Sequence, residues 1–221
     1  MLKRNLFFLL LAGFLNACNT NSPAQKSTGK SDRYNNIPGQ AGAALPAATA
    51  RGSALARAAE DIIDDRIVYD PQYFAIDYPN GDVPKGKGVC TDVVIRSFRK
   101  IGIDLQKEVH EDMQAHFALY PQIWGRNSTD RNIDHRRVPN LMTYFSRKKY
   151  EMPITQKGTD YLPGDIVAWR LPAGQTHIGI VSREPVSHRT HYMIVHNIGN
   201  GQVLEDCLFK FEIIGHYRLP S

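Results

Sequence analysis

The chain has 221 residues, 42% of them hydrophobic and 22% charged, with a formal net charge of +5 at neutral pH. That length suits one well-buried domain plus tails, and that hydrophobic content is ordinary for a globular protein, so neither a disordered nor a fibrous class is called for. The small positive excess argues against dedicated nucleic-acid binding and is compatible with an anionic wall polymer.

Residues 1–17 join a positive start at Lys3-Arg4 to an apolar run from Leu6 to Leu15, which reads as an export signal and not as a spanning helix. The segment Leu15-Asn16-Ala17-Cys18 resembles a bacterial lipobox, which implies that Cys18 is lipidated and becomes the first mature residue. Acyl burial gains about 0.8 kcal/mol per methylene, so several chains would anchor the protein to a membrane. The expected location is the periplasm, with the outer membrane favoured. Residues 18–52 are rich in Ser, Asn, Gly, Ala, Pro, Gln and Lys and read as a flexible tether, and 53–221 as the folded domain. Loss of Lys3 and Arg4 with the signal lowers the formal charge from +5 to +3 (5 − 2 = 3).

Ser53 is the expected cap of a packing helix over 54–67, and 69–87 reads as a loop carrying Pro71, Pro79 and Pro84. Gly86 and Gly88 flank Lys87 as either a flexible turn or a place for close substrate approach. Next comes Cys90, followed by Val93, Val94, Phe98 and Ile101 at helical spacing and by Gly102 as a stop. A thiol attacks as its thiolate, and the first turn of a helix presents unpaired N–H groups that favour an anion. A disulfide to Cys207 is the alternative fate of Cys90 in an exported chain.

A near-helical pattern follows over 105–119, then a polar run over 126–137 that reads as a surface loop and leads into the apolar 138–145. Arg131, Arg136 and Arg137 in that run are candidates for bidentate recognition of carboxylates. The C-terminal third changes to five short β-rich runs at 166–171, 178–182, 192–197, 202–207 and 212–218, punctuated by Gly and Pro. Helices first and strands last predict an α+β domain with a curled antiparallel sheet.

Three segments carry a likeness: Gly88-Val89-Cys90-Thr91-Asp92-Val93-Val94, Pro163-Gly164-Asp165-Ile166-Val167-Ala168-Trp169, and His177-Ile178-Gly179-Ile180-Val181. Over roughly 82–219 the chain resembles the NlpC-type, papain-like cysteine peptidases and amidases of bacterial cell walls. The resemblance implies a papain-like fold in which N-terminal helices, the nucleophile helix among them, pack on a C-terminal antiparallel five-stranded sheet. It also implies Cys90 as nucleophile, His177 as base and His196 as the residue orienting the imidazole, with Asn197 the alternative and His191 an outsider. In the usual wall-hydrolase pattern Asp or Asn precedes the cysteine and Ser-Gly follows, whereas here Val89 precedes and Thr91-Asp92 follows.

Asp92 is expected either to cap the helix or to bind a substrate amine, and Trp169 joins Asp92, Arg131 and Arg136 as a substrate-binding candidate. The implied reaction is amide hydrolysis in peptidoglycan through an acyl-enzyme, by a monomer needing no cofactor and no metal. Two other classes compete: a non-catalytic wall-binding lipoprotein of the same fold, and a zinc protein using Cys90, His135, His177, His191 or His196.

Overall fold

The computed structural model describes residues 45–221; the expected export signal, the expected lipidation site Cys18 and most of the expected tether lie outside the described residues. Order begins earlier than residue 53. Leu45 is buried in a core, the Pro46 carbonyl accepts from the Tyr192 hydroxyl at 3.2 Å, and Thr49, not Ser53, caps the first helix by accepting from the Gly52 N–H at 3.0 Å.

That helix, α1 (Ala50–Glu60), is followed by a two-residue strand β1 (Val68–Tyr69) and its parallel partner β2 (Lys87–Gly88). Helix α2 (Cys90–Lys100), which Cys90 opens, begins directly after β2. Next come α3 (Leu105–His116) and α4 (Val138–Arg147), then five strands: β3 (Ile166–Arg170), β4 (Thr176–Pro185), β5 (Tyr192–His196), β6 (Val203–Glu205) and β7 (Glu212–Tyr217). The five form one antiparallel sheet in the order β6-β5-β4-β3-β7. Among the described residues, no helix is long and apolar enough to cross a membrane.

Side chains alternate across a strand, so the sheet has two differently furnished faces. Ile166, Ala168, Ile178, Ile180 and Val195 join the helices in a core that contains Leu55, Val94, Phe98, Leu141 and Phe145. Phe98 of α2 and Phe145 of α4 stack there with ring centroids 5.8 Å apart. The opposite face carries Val167, Trp169, Val181 and Ile194, covered by Leu45, Tyr161, Cys207 and Leu208. Burying each such aliphatic or aromatic side chain stabilises the fold by roughly 1.5–3 kcal/mol.

The Pro163-Gly164-Asp165 turn ties α1 to the sheet. Gly164 has φ +88°, and a Cβ there would lie 2.1 Å from the Gly52 carbonyl oxygen, so only glycine lets the turn touch α1. The buried Asp165 carboxylate accepts from the Leu162 N–H at 2.7 Å, from Arg218 Nε at 2.7 Å and from His216 Nε2 at 2.8 Å. This turn is thus a structural clamp between α1, β3 and β7.

The polar run is not wholly a surface loop, as its spacing had implied. Asp134, His135 and Arg136 form a short 3-10 turn and are buried: Asp134 pairs with Arg137, Arg136 with Asp92, and burial keeps His135 neutral. Gly88 is not a flexible turn. It lies within β2, and a Cβ on it would stand 3.0 Å from Arg96 Nη1, so its missing side chain makes room for that guanidinium.

Candidate active site

Cys90 occupies the first turn of α2, which packs against α1, α3 and β4. The helix N-terminus is held by the third helical residue: Asp92 Oδ2 accepts from the Val89 N–H at 2.7 Å. Asp92 is itself gripped by Arg136, with Nε–Oδ1 and Nη2–Oδ2 both at 3.0 Å and both side chains almost fully buried. Arg136 also donates to the Gln72 carbonyl at 3.1 Å. Asp92 therefore caps the helix, and with Arg136 bound to it its side chain is not free to hold substrate. This corrects the substrate-binding expectation for Asp92, while Arg136 stands in the wall of the Cys90 cleft with its guanidinium engaged by Asp92.

Trp169 is corrected likewise. Its side chain is 0% exposed and its indole N–H donates to the Leu208 carbonyl at 2.9 Å, so no substrate can touch it. Arg131 is exposed and lies over the Tyr78 ring at 5.7 Å, outside the cleft that Cys90 lines.

That cleft has a volume of about 200 Å³, and its walls include Tyr69, Trp124, Arg137 and Thr176 beside Cys90. Drug-sized pockets run to ~300–1,000 Å³, so this one fits a single group of a longer polymer better than a whole small molecule. Arg136 and Arg137 both line it, and Arg137 has its guanidinium 4.1 Å above the Trp124 ring and an ion pair to Asp134 at 3.3 Å. Tyr69 arrives through the β1–β2 ladder, where it pairs with Gly88 two residues before the thiol. The sequence reading missed Tyr69, because a two-residue strand leaves no periodicity to detect.

The thiol is not in the activated state that a helix N-terminus suggests. Cys90 is 5% exposed, and burial pushes its thiol up to about 12. The backbone N–H of Ile178 on β4 pulls in the opposite direction, the Asp92 charge raises it further, and the N–H groups of Thr91 and Cys90 lower it. At rest the sulfur is a neutral thiol against the strand, one residue from His177.

His177 lies inside β4, opposite Trp169 on β3, and so projects from the sheet face that carries Trp169. Its Nε2 is 2.8 Å from His196 Nδ1, and His196 Nε2 is 3.2 Å from Glu205 Oε2. No hydrogen bond joins this chain to the Cys90 sulfur. Asn197 points elsewhere, its amide 3.5 Å from the Gly88 carbonyl, and His191 pairs with Asp206 at 2.8 Å.

The hydrogen bonds fix the tautomers. An ionised Glu205 can only accept, so His196 carries its proton on Nε2 and accepts at Nδ1 from the Nε2–H of His177. His177 is left with a bare lone pair on Nδ1, the form a general base requires. Burial, assisted by the neighbouring His196, holds His177 down to about 3, so this lone pair persists across the neutral range. Glu205 was absent from the sequence reading, since nothing local marks a partly exposed acid on a short strand as a partner of two buried histidines.

These shifts make stability depend on pH. His177 and the buried His135 are both held down to about 3, against 6.5 in an unfolded chain. Between those values the unfolded state binds more protons, so stability falls on acidification by at most ~1.4 kcal/mol per pH unit for each histidine. Cys90 and Cys207, held up to about 12 against 9.0, reverse the sign on the alkaline side. The urea midpoint is expected to be flat between pH 6.5 and 9.0 and to drop on both sides; a midpoint that rises between pH 6 and 4 would contradict this balance.

The two cysteines among the described residues are free, with Cys90 in the helix-side core and Cys207 in the core on the other face, so they form no disulfide with each other.

The profile of the family described as Domain of unknown function (DUF1287) matches residues 56–219, which include the Cys90 cleft and the histidine chain. "Uncharacterized protein YijF" of Escherichia coli (strain K12) is 50% identical over 165 residues, 75% of this chain and 80% of its own length. Among solved structures, NlpC1 from Trichomonas vaginalis is similar at a TM-score of 0.39 and 15% identity, over 76% of this chain; the chain spans 44% of that protein.

Proposed function

The chain belongs to the family described as Domain of unknown function (DUF1287), and from its own site we propose a papain-like, NlpC-type cysteine hydrolase that cleaves amide bonds of peptidoglycan. The observation that carries this reading is a cysteine on the first turn of a buried helix, opening into a cleft beside the strand that bears His177.

In the proposed reaction a wall peptide fills the cleft with a carboxylate facing Arg137. For the His177 Nδ1 lone pair to take the thiol proton, substrate binding would have to turn the ring from the Trp169 face of the sheet towards Cys90. Cys90 attacks the amide carbonyl, the amine leaves with the proton from His177, and water releases the acyl group. The N–H groups of Cys90 and Ile178, already directed at the sulfur, are suited to stabilise the developing oxyanion. The lipid anchor at Cys18 and the tether would hold the enzyme on the periplasmic side of a membrane within reach of the wall, acting as a monomer.

A second reading has its own support. The resting thiol is neutral and has no hydrogen bond to His177, as expected of a protein that binds wall peptides without cutting them. The purified chain incubated with peptidoglycan is expected to release fragments with new amide-derived termini, identified by mass. Co-sedimentation with the wall and no new fragment would favour the binding protein instead.

A further inference from the structure

The end of the histidine chain away from the cleft carries a second chemistry. His196 closes β5, Glu205 closes β6, and Cys207 follows two residues later, which brings an imidazole nitrogen, a carboxylate oxygen and a sulfur together within 4.8 Å of one another. We propose that His196, Glu205 and Cys207 form a binding site for a thiophilic divalent cation of the zinc class.

The spacing fits such an ion. Tetrahedral zinc with bonds of about 2.0–2.1 Å to nitrogen, about 2.0–2.2 Å to oxygen and about 2.3 Å to sulfur spans nitrogen–oxygen and nitrogen–sulfur edges of roughly 3.3–3.6 Å. The corresponding separations are 3.2 Å from His196 Nε2 to Glu205 Oε2 and 3.6 Å from His196 Nε2 to Cys207 Sγ. His196 and Cys207 are buried, whereas the Glu205 side chain is 33% exposed and gives the ion its way in. Water on that side would supply the fourth ligand. His196 Nδ1 is already bonded to His177, the kind of outer partner that fixes a ligating ring. The negative charges of Glu205, Asp206 and a Cys207 thiolate outnumber the nearby Lys210.

Binding would reverse the tautomers along the chain. The Cys207 thiol loses its proton to solvent, and so does His196 Nε2. His196 then takes the proton of His177 Nε2 onto its Nδ1, and His177 gains one from solvent on its own Nδ1, for a net release of one proton. The ion itself does not depend on the hydrolase reading. Its consequence does: with Nδ1 protonated, His177 can no longer take a proton from Cys90, so the cation would act as an inhibitor.

Cobalt(II) added to the reduced, chelator-stripped full chain is the probe. One equivalent is expected to give a thiolate-to-cobalt charge-transfer band, which zinc displaces. Cys207→Ser is expected to abolish the band, Glu205→Gln to weaken cobalt binding ~10-fold or more, and Cys90→Ala to leave both unchanged. Absence of the band, its survival in Cys207→Ser, or its loss in Cys90→Ala would each overturn the site. Where the wild type releases wall fragments, zinc should suppress that release and fail to do so in Cys207→Ser. Cobalt binding without zinc inhibition would remove the tautomer consequence and leave the metal site standing.

Discussion

Cys90→Ala is expected to abolish release of wall fragments while the protein stays folded. Removing a covalent nucleophile costs on the order of 10^6-fold in the best-studied hydrolases, and the other cysteine among the described residues, Cys207, does not line the cleft. The structural cost is small: an alanine fits where a nearly buried cysteine stood and leaves the Asp92–Val89 cap untouched. His177→Ala is expected to lower kcat/KM by ~10^2–10^4-fold, the range for a lost general base. Glu205 acts only through His196, so Glu205→Leu should cost less and should change the pH profile by freeing the tautomers. Wild-type kcat/KM in His177→Ala would remove the imidazole from the mechanism.

Arg136→Ala is expected to destabilise the fold by ~3–5 kcal/mol, the usual effect of stripping one partner from a buried ion pair. Asp92 would keep a buried charge two residues from Cys90 with the Val89 N–H as a remaining donor. The loss is larger than that of one contact because Arg136 also holds the 69–72 segment by donating to the Gln72 carbonyl, and that segment places Tyr69 in the cleft. Arg131→Ala, at an exposed site, should change stability by less than ~0.5 kcal/mol. Urea unfolding of the three proteins checks the contrast, and equal midpoints for Arg136→Ala and Arg131→Ala would refute it. Replacing Asp92 and Arg136 together by apolar residues of similar volume should recover much of the loss.

The parts of this fold that were legible in the sequence are those written in local pattern. The five strands follow their β-branched runs between Gly and Pro, and α2 follows Val93, Val94 and Phe98 from Cys90 to the stop at Gly102, whose φ is +82°. Contacts made across long sequence distances were not legible. Asp92 and Arg136 are 44 residues apart, and each looked available for substrate until the fold joined them. The facing of His177 turns on one residue: read as the lead-in to a strand it could point anywhere, but β4 begins at Thr176, which sets His177 opposite Trp169. The zinc alternative named Cys90 and four histidines, whereas the cluster on the β5–β6 hairpin joins His196 to Glu205 and Cys207, whose proximity depends on strand pairing.

The central claim is that Cys90 forms an acyl bond with the wall peptide. Protein quenched in acid during turnover and measured by intact mass is predicted to carry a peptide adduct that maps to Cys90, present in the wild type and missing in Cys90→Ala. Fragments accumulating at equal rates in both proteins, with no adduct on Cys90, would contradict it.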